Sequence, residues 1–352
     1  MTRTGDWLWE PSKARREQSL LSQFAQEYRP QASSYAELHS WSVRDPAAFW
    51  SALWQFAQIK GALEGPVIQG QGMPGTRFFP QARLNVARNL LERGHPDDLA
   101  VIFRSEDGRK QVWTREQLKF AAAGISRVLK KAGVEPGDRV AAVLPNRPET
   151  VAAMLATTAM GAVWSSCSPD FGDAALLDRF GQIAPKVLLT VSDYRYGGKL
   201  HDCRKRVGNL LRALPSLQAV YCLTDDLDLP THKKIHEWPQ PDPIAGLPYR
   251  ELPFDHPLFI LYSSGTTGAP KAILHGAGGT LLQLVKEHQL HCDIHPGERL
   301  FYYTTCGWMM WNWLVMGLAS EAAIMLYEGS PFTPDGNALF DFAQSARCNF
   351  FG

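Results

Sequence analysis

Residues Ser263-Ser-Gly-Thr-Thr-Gly-Ala-Pro-Lys271 put two serines, two threonines, two glycines and a lysine within nine positions, directly after the apolar run Leu258 to Tyr262. Glycine lets backbone N–H groups come close to an anion, hydroxyls add donors, and the ammonium of Lys271 adds a compact positive charge. A buried strand that breaks into such a loop meets the needs of a phosphate cradle. The order differs from the Gly-x-x-x-x-Gly-Lys-Ser/Thr loop, because Ala269 and Pro270 precede the lysine and Ala272 follows it. The same residue types also build ordinary connections between strands.

A second stretch, Thr304-Thr-Cys-Gly-Trp-Met-Met-Trp-Asn312, sets large apolar side chains at the end of a strand. It reads either as a packed strand-to-helix corner or as a pocket wall that sizes a small acyl group. The cradle one strand–helix unit upstream favours the pocket. Asp193-Tyr-Arg-Tyr-Gly-Gly-Lys199 follows a strand end and is expected to open a helix, so Arg195 and Lys199 around the Gly-Gly pair suit an anion. An ordinary loop with solvated charges fits those residues as well. Trp164 to Gly172 is another strand-to-helix corner, with Asp170 as its expected cap.

Other residues invite chemistry and are set aside. His288, His291, His295 and Cys292 suggest zinc, but no second ligand cluster partners them, so a helix-surface or helix-end role is expected. Cys306 has no histidine–carboxylate pair near it in sequence and is expected to be a structural thiol. Gly70-Gln-Gly-Met-Pro-Gly75 has the spacing of a dinucleotide loop, yet only Val67 and Ile68 precede it and Pro74 stands inside it, so it reads as a loop.

Positioning these residues falls to alternating elements. Strands are expected at 99–103, 111–113, 138–144, 162–166, 186–191, 218–223, 258–262, 272–275, 299–305, 322–327 and from Cys348. Helices are expected at 114–131, opened by a Thr114/Gln117 capping box, and at 148–160, 174–183, 199–214, 278–291, 309–318 and 336–346. This alternation predicts an α/β fold of doubly wound, mostly parallel sheets. Upstream, residues 1–34 read as a polar leader with Lys13, Arg15 and Arg16 solvated. Residues 34–59 carry an aromatic stripe at helical spacing, with Asp45-Pro46 as a helix start. Residues 224–257, rich in proline and aspartate, read as a junction.

The 352 residues carry 36 lysines and arginines against 35 aspartates and glutamates, a balance that provides no electrostatic footprint for nucleic acid or an anionic membrane. Val151 to Trp164 is too short and too rich in small residues to span a bilayer, so no stable membrane insertion is expected. The N-terminus lacks an apolar core for a secretory signal, and six scattered cysteines read as free thiols, so a cytosolic protein is expected.

The stretch Ile260 to Lys271 resembles the signature of the adenylate-forming enzymes, which include acyl-CoA synthetases, luciferases and peptide-synthetase adenylation domains. Together with Trp164 to Gly172, Tyr196 to Lys199, His275 to Thr280 and Thr304 to Asn312, it looks like the acetoacetyl-CoA synthetases in particular, with acetyl-CoA synthetases next. Ser34 to Ile59 resembles the N-terminal segment of both. The resemblance implies an acetyl-CoA-synthetase-type segment at 35–95 and an incomplete AMP-binding domain at 96–352. It implies ATP-dependent conversion of acetoacetate to acetoacetyl-CoA through an acyl-adenylate, with ATP, Mg2+ and coenzyme A, serving ketone-body use for lipid synthesis. Ser263, Ser264, Gly265, Thr266, Thr267, Gly268 and Lys271 would hold the ATP phosphates. Gly307, Trp308 and Met309 would line the acyl pocket, and Lys199, with Arg195, would meet coenzyme A. The alternatives are an acetate or propionate ligase and a non-catalytic fragment that keeps partial nucleotide and coenzyme A binding. The terminus at Gly352 reads as cut. The family's catalytic lysine and magnesium glutamate would fall beyond it, so no catalytic or metal-binding residue is expected in the chain, which alone is expected not to turn over.

Overall fold

The structure, a computed structural model, describes residues 9–224, 227–263, 268 and 270–352. The first helices, α1 (Lys13–Gln18) and α2 (Leu20–Tyr28), are capped by the hydroxyls of Ser12 and Ser19. Lys13, Arg15 and Arg16 are exposed. The segment nevertheless carries core, because Phe24 is fully buried against Tyr28, Trp41, Phe49 and Phe56. Those rings come mostly from α3 (Tyr35–Arg44) and α4 (Pro46–Phe56), so the aromatic stripe is a packing surface. Asp45 accepts from the Ala48 N–H at 3.1 Å and Pro46 stands at the first helical position.

Four two-residue strands follow: β1 (Gly61–Ala62), β2 (Ile68–Gln69), β3 (Arg77–Phe78) and β4 (Arg83–Leu84). Gly70 to Gly75 is the loop of the β2–β3 hairpin, and no helix opens there. After α5 (Val86–Leu91) the alternation begins with β5 (Leu99–Ser105), β6 (Lys110–Thr114) and α6 (Arg115–Lys131), the last opened by the Thr114/Gln117 capping box. It continues through β7 (Arg139–Val143), α7 (Pro148–Ala159), β8 (Val163–Cys167), α8 (Asp173–Phe180) and β9 (Val187–Thr190). The helix expected from Lys199 begins later. Residues 193–202 form a hairpin of β10 (Asp193–Tyr196) and β11 (Lys199–Asp202), and α9 (Arg204–Ala213) follows. Gly197 and Gly198 both take positive φ, +62° and +76°, the two-residue turn that matches strand twist, and this local demand outweighs helix propensity.

Then come β12 (Ala219–Cys222) and β13 (Ile235–Glu237), the latter a strand inside the stretch read as a junction, and β14 (Leu252–Pro253). Next are β15 (Pro257–Tyr262), β16 (Ala272–Gly276), α10 (Ala277–Lys286) and β17 (Arg299–Phe301). The chain continues with α11 (Met309–Met316), β18 (Ala323–Glu328), α12 (Ala338–Ser345) and β19 (Phe350–Phe351).

Two sheets result. The larger runs β13-β12-β9-β7-β8-β15-β16 and the smaller β19-β17-β18-β5-β6. Both are parallel except at one edge, where β15–β16 and β5–β6 are antiparallel hairpins. Successive residues of β7 alternate between cores. Val140 and Ala142 join the layer that holds α6, α7, α10 and α11, while Ala141 and Val143 face α8 and α9. Leu300, Ile324 and Leu326 of the smaller sheet pack into that same central layer, and Phe301, Met325 and Tyr327 face α12 on the other side. The order of layers is therefore helix, sheet, helix, sheet, helix. From β7 the chain crosses to β8 on one side and then to β9 on the other. The crevice at the carboxyl ends of β7 and β9 is thus a topological switch point, where open α/β sheets bind ligands.

Candidate active site

The carboxyl ends of the two sheets face one another across that crevice. Asn146, just past β7, donates its amide to the carbonyls of Thr304 and Tyr327 at 3.3 Å each and accepts the Trp311 indole N–H at 2.9 Å. Arg147 next to it makes a two-pronged ion pair with Glu328 at the end of β18, at 2.5 and 2.8 Å. Burial opposes a charge at Arg147, and the Glu328 carboxylate overcomes this and holds its ionisation above the usual range. Neither residue was singled out from sequence. A polar pair after an apolar strand marks a strand end, but its partners lie more than 150 residues away.

The nine-residue loop joins β15 to β16 as a hairpin. Its neck is closed by the Ser263 N–H donating to the Lys271 carbonyl at 3.1 Å and the Lys271 N–H donating to Ser263 Oγ at 3.3 Å. Gln182, beyond α8, braces the far strand by donating to the Pro270 carbonyl at 2.7 Å and accepting from the Ala272 N–H at 3.3 Å. Gly268 and the Lys271 side chain are exposed, and Lys271 forms no ion pair among the described residues. Ser264, Gly265, Thr266 and Thr267 lie outside the described residues.

The corner after β17 is half wall and half mouth. Trp311 and Asn312 are buried, whereas Trp308 and Met309 are 56% and 53% exposed and so are free to touch a ligand. Gly307 is required by close approach, since a Cβ there would lie 2.7 Å from Cζ of Phe171. The Cys306 thiol is fully buried, donates to the Pro145 carbonyl at 3.5 Å, and is pushed well above its ordinary range by burial. It is a structural thiol.

Two consecutive serines at the end of β8 join the loop to the corner. Ser165 donates to the Ile260 carbonyl at 3.0 Å and lies 3.1 Å from the Tyr262 hydroxyl, while Ser166 donates to the Cys306 carbonyl at 2.7 Å. Neighbouring side chains on a strand point to opposite faces, so one strand end holds both features. Arg179 lies over the rings of Phe171 and Tyr262 at 4.9 and 5.7 Å, a cation beside both. Asp170 does not cap α8. Gly172 occupies the cap and supplies no side chain.

Arg195 and Lys199 stand on the β10–β11 hairpin, both exposed. The Gly197 and Gly198 amides that suited an anion already donate to the Glu106 carboxylate, each at 2.9 Å. Arg195 pairs with Asp107 at 3.3 Å, and Lys199 forms no ion pair among the described residues. Burial would raise the Asp107 carboxyl, but hydrogen bonds from Ser105 and Arg109 and the Arg109 charge hold it down at about 2.

His288, expected at a helix surface or a helix end, lies at the helix end but is buried. It sits in a π-helical turn, Glu287–His291, that continues α10, and it is fully buried 4.6 Å from the Trp313 ring. Neither ring nitrogen has a hydrogen-bond partner among the described residues. Burial pushes His288 down to about 3. Among the described residues no group of three histidines, cysteines or carboxylates could hold a metal ion.

Comparison with known proteins agrees with this architecture. The AMP-binding enzyme family matches residues 90–352, and the acetyl-coenzyme A synthetase N-terminus matches residues 35–90. The acetoacetyl-coenzyme A synthetase of Rhizobium meliloti is 46% identical over 357 residues, covering 98% of this chain and 54% of that protein. The acetoacetyl-CoA synthetase of Danio rerio is 38% identical over 363 residues, with the same two coverages. The solved acetoacetyl-CoA synthetase from Streptomyces lividans superposes with a TM-score of 0.92 at 41% identity, over 98% of this chain and 55% of that one. The chain thus spans about half the length of the relatives it matches.

Proposed function

This chain belongs to the AMP-binding enzymes, and from that premise we propose that it is the nucleotide- and acyl-binding part of an acetoacetate–CoA ligase. In the proposed reaction the acetoacetate carboxylate attacks the α-phosphate of ATP, pyrophosphate leaves, and the thiol of coenzyme A then displaces AMP from the acyl-adenylate. The first step needs the phosphate charge neutralised while the carboxylate approaches in line. Lys271 is assigned that charge, with Ser263, Ser264, Gly265, Thr266, Thr267 and Gly268 as donors. Gly307, Trp308 and Met309 are assigned the acyl group, and Lys199 and Arg195 the phosphates of coenzyme A. Magnesium finds no ligand set among the described residues, and no role is assigned to any of them in holding it.

The observation that carries this reading is the tie at the end of β8. Ser165 and Ser166 fix the phosphate hairpin and the Gly307 corner to one rigid strand, as in-line transfer between their two ligands requires. A cytosolic setting, with acetoacetate drawn from ketone bodies for lipid synthesis, belongs to the same proposal. No disulfide joins the cysteines among the described residues, which suits a reducing compartment, and no described helix is long and apolar enough to cross a membrane. The partners proposed are small molecules only: acetoacetate, ATP and coenzyme A.

The test is acid-dependent exchange of labelled pyrophosphate into ATP by the complete enzyme, with acetoacetate, acetate and propionate side by side. Exchange led by acetoacetate supports the proposal. Exchange led by acetate or propionate overturns the acid assignment. ATP binding with no exchange favours a second reading, a chain that binds nucleotide without turnover, which its coverage of about half of each relative keeps in view.

A further inference from the structure

The amides that suit an external anion hold an internal one. The Glu106 carboxylate accepts three backbone N–H groups: Gly197 and Gly198 at 2.9 Å and Ser330 at 2.8 Å. These donors come from the tip of the β10–β11 hairpin and from the segment after β18. A carboxylate in a nest of backbone amides is the arrangement with which proteins hold bound anions, and such bonds are among the stronger ones available. Glu106 itself lies just past β5, in the smaller sheet. The hairpin belongs to the connection after β9, in the larger sheet. A two-stranded hairpin is marginal by itself, and among the described residues β10 and β11 pair only with one another.

From this we infer that Glu106 is a positioning residue for coenzyme A, acting through the hairpin that carries Arg195 and Lys199. The inference rests on the proposal that these two side chains meet the coenzyme's phosphates. Two consequences follow from the geometry. A ligand phosphate cannot use the Gly197 and Gly198 amides, because a carboxylate fills them, so side chains must meet it. Lys199 carries the larger part, since it forms no ion pair among the described residues, whereas Arg195 is partly neutralised by Asp107. The tie through Ser330 also fixes the hairpin to the sheet that presents the Gly307 corner, so the phosphate end of the coenzyme is held at a set distance from the acyl group.

The experiment uses the full chain and its Glu106→Ala, Glu106→Gln, Lys199→Ala and Arg195→Ala variants. Calorimetry gives Kd for coenzyme A and for ATP, a thermal melt gives Tm, and hydrogen exchange reports on the Gly197 and Gly198 amides. Glu106→Ala removes all three bonds to the carboxylate and is expected to weaken coenzyme A about tenfold, the share of that loss that reaches the coenzyme, to speed amide exchange at the turn, and to leave ATP binding unchanged. Glu106→Gln keeps the shape and one acceptor and is expected to fall between. Unchanged or tighter coenzyme A binding in Glu106→Ala, with Lys199→Ala weakened, overturns the inference. So does equal weakening of both ligands with a fallen Tm, the mark of a merely structural role. If neither Lys199→Ala nor Arg195→Ala weakens coenzyme A, the site assignment itself fails.

Discussion

Trp311 donates its indole N–H to the side-chain oxygen of Asn146 at 2.9 Å, with both residues buried. The same Asn146 amide holds the carbonyls of Thr304 and Tyr327, so one side chain joins β7 of the larger sheet to two strand ends of the smaller. These bonds tie the carboxyl ends of the two sheets together across the crevice.

Asn146→Ala is therefore expected to destabilise by about 3 kcal/mol, because it leaves a buried indole N–H and two carbonyls short of a partner. Denaturant unfolding measures this as a lower midpoint at unchanged slope. A loss under about 1 kcal/mol would mean that water replaces the amide and that Asn146 is no hub.

Lys271→Ala should behave in the opposite way. The side chain is exposed and forms no ion pair among the described residues, so unfolding is expected to shift by less than about 0.5 kcal/mol. ATP binding should weaken about tenfold or more, as for a lost charge-assisted contact to phosphate. Titration calorimetry reads the second quantity, and unaltered affinity would remove Lys271 from the site.

Gly307→Ala places a methyl group 2.7 Å from the Phe171 ring. Overpacking of that kind costs about 1–3 kcal/mol. The strain should be relieved when Phe171→Leu is added, a coupling that a double-mutant cycle detects. Two additive losses would show that the ring is free to swing aside.

His288 supplies a pH dependence whose sign is determined. Its folded value is about 3 against an ordinary 6.5, so the unfolded chain binds the extra proton between those values. The stabilisation is fully present above pH 6.5. It should fall by about 1.4 kcal/mol per pH unit as the pH drops towards 3. Urea midpoints at pH 7, 6 and 5 test this against His288→Leu, whose slope should be flatter over that range. Equal slopes would show that other groups carry the acid sensitivity.

Local signals in the chain were strong where chemistry and backbone geometry coincide. The capping box at Thr114, the Asp45-Pro46 start and the strand–helix alternation from Leu99 each appear in the structure close to where the residues place them. The strand before the Gly/Ser/Thr-rich loop was legible because Leu258 to Tyr262 is a continuous apolar run, and β15 lies there. The helix expected from Lys199 starts at Arg204, because the Gly197-Gly198 turn closes a hairpin over the residues before it.

By itself the sequence determined the alternating elements and the family signature, since these depend on neighbours a few positions apart. Only the tertiary structure decided that Glu106 occupies the Gly197–Gly198 amides, that Asn146 and Arg147 join the two sheets, and that His288 is buried. Each of these joins residues from separate elements. Their energies depend on which groups burial brings within 3 Å of one another, and sequence spacing carries no record of that.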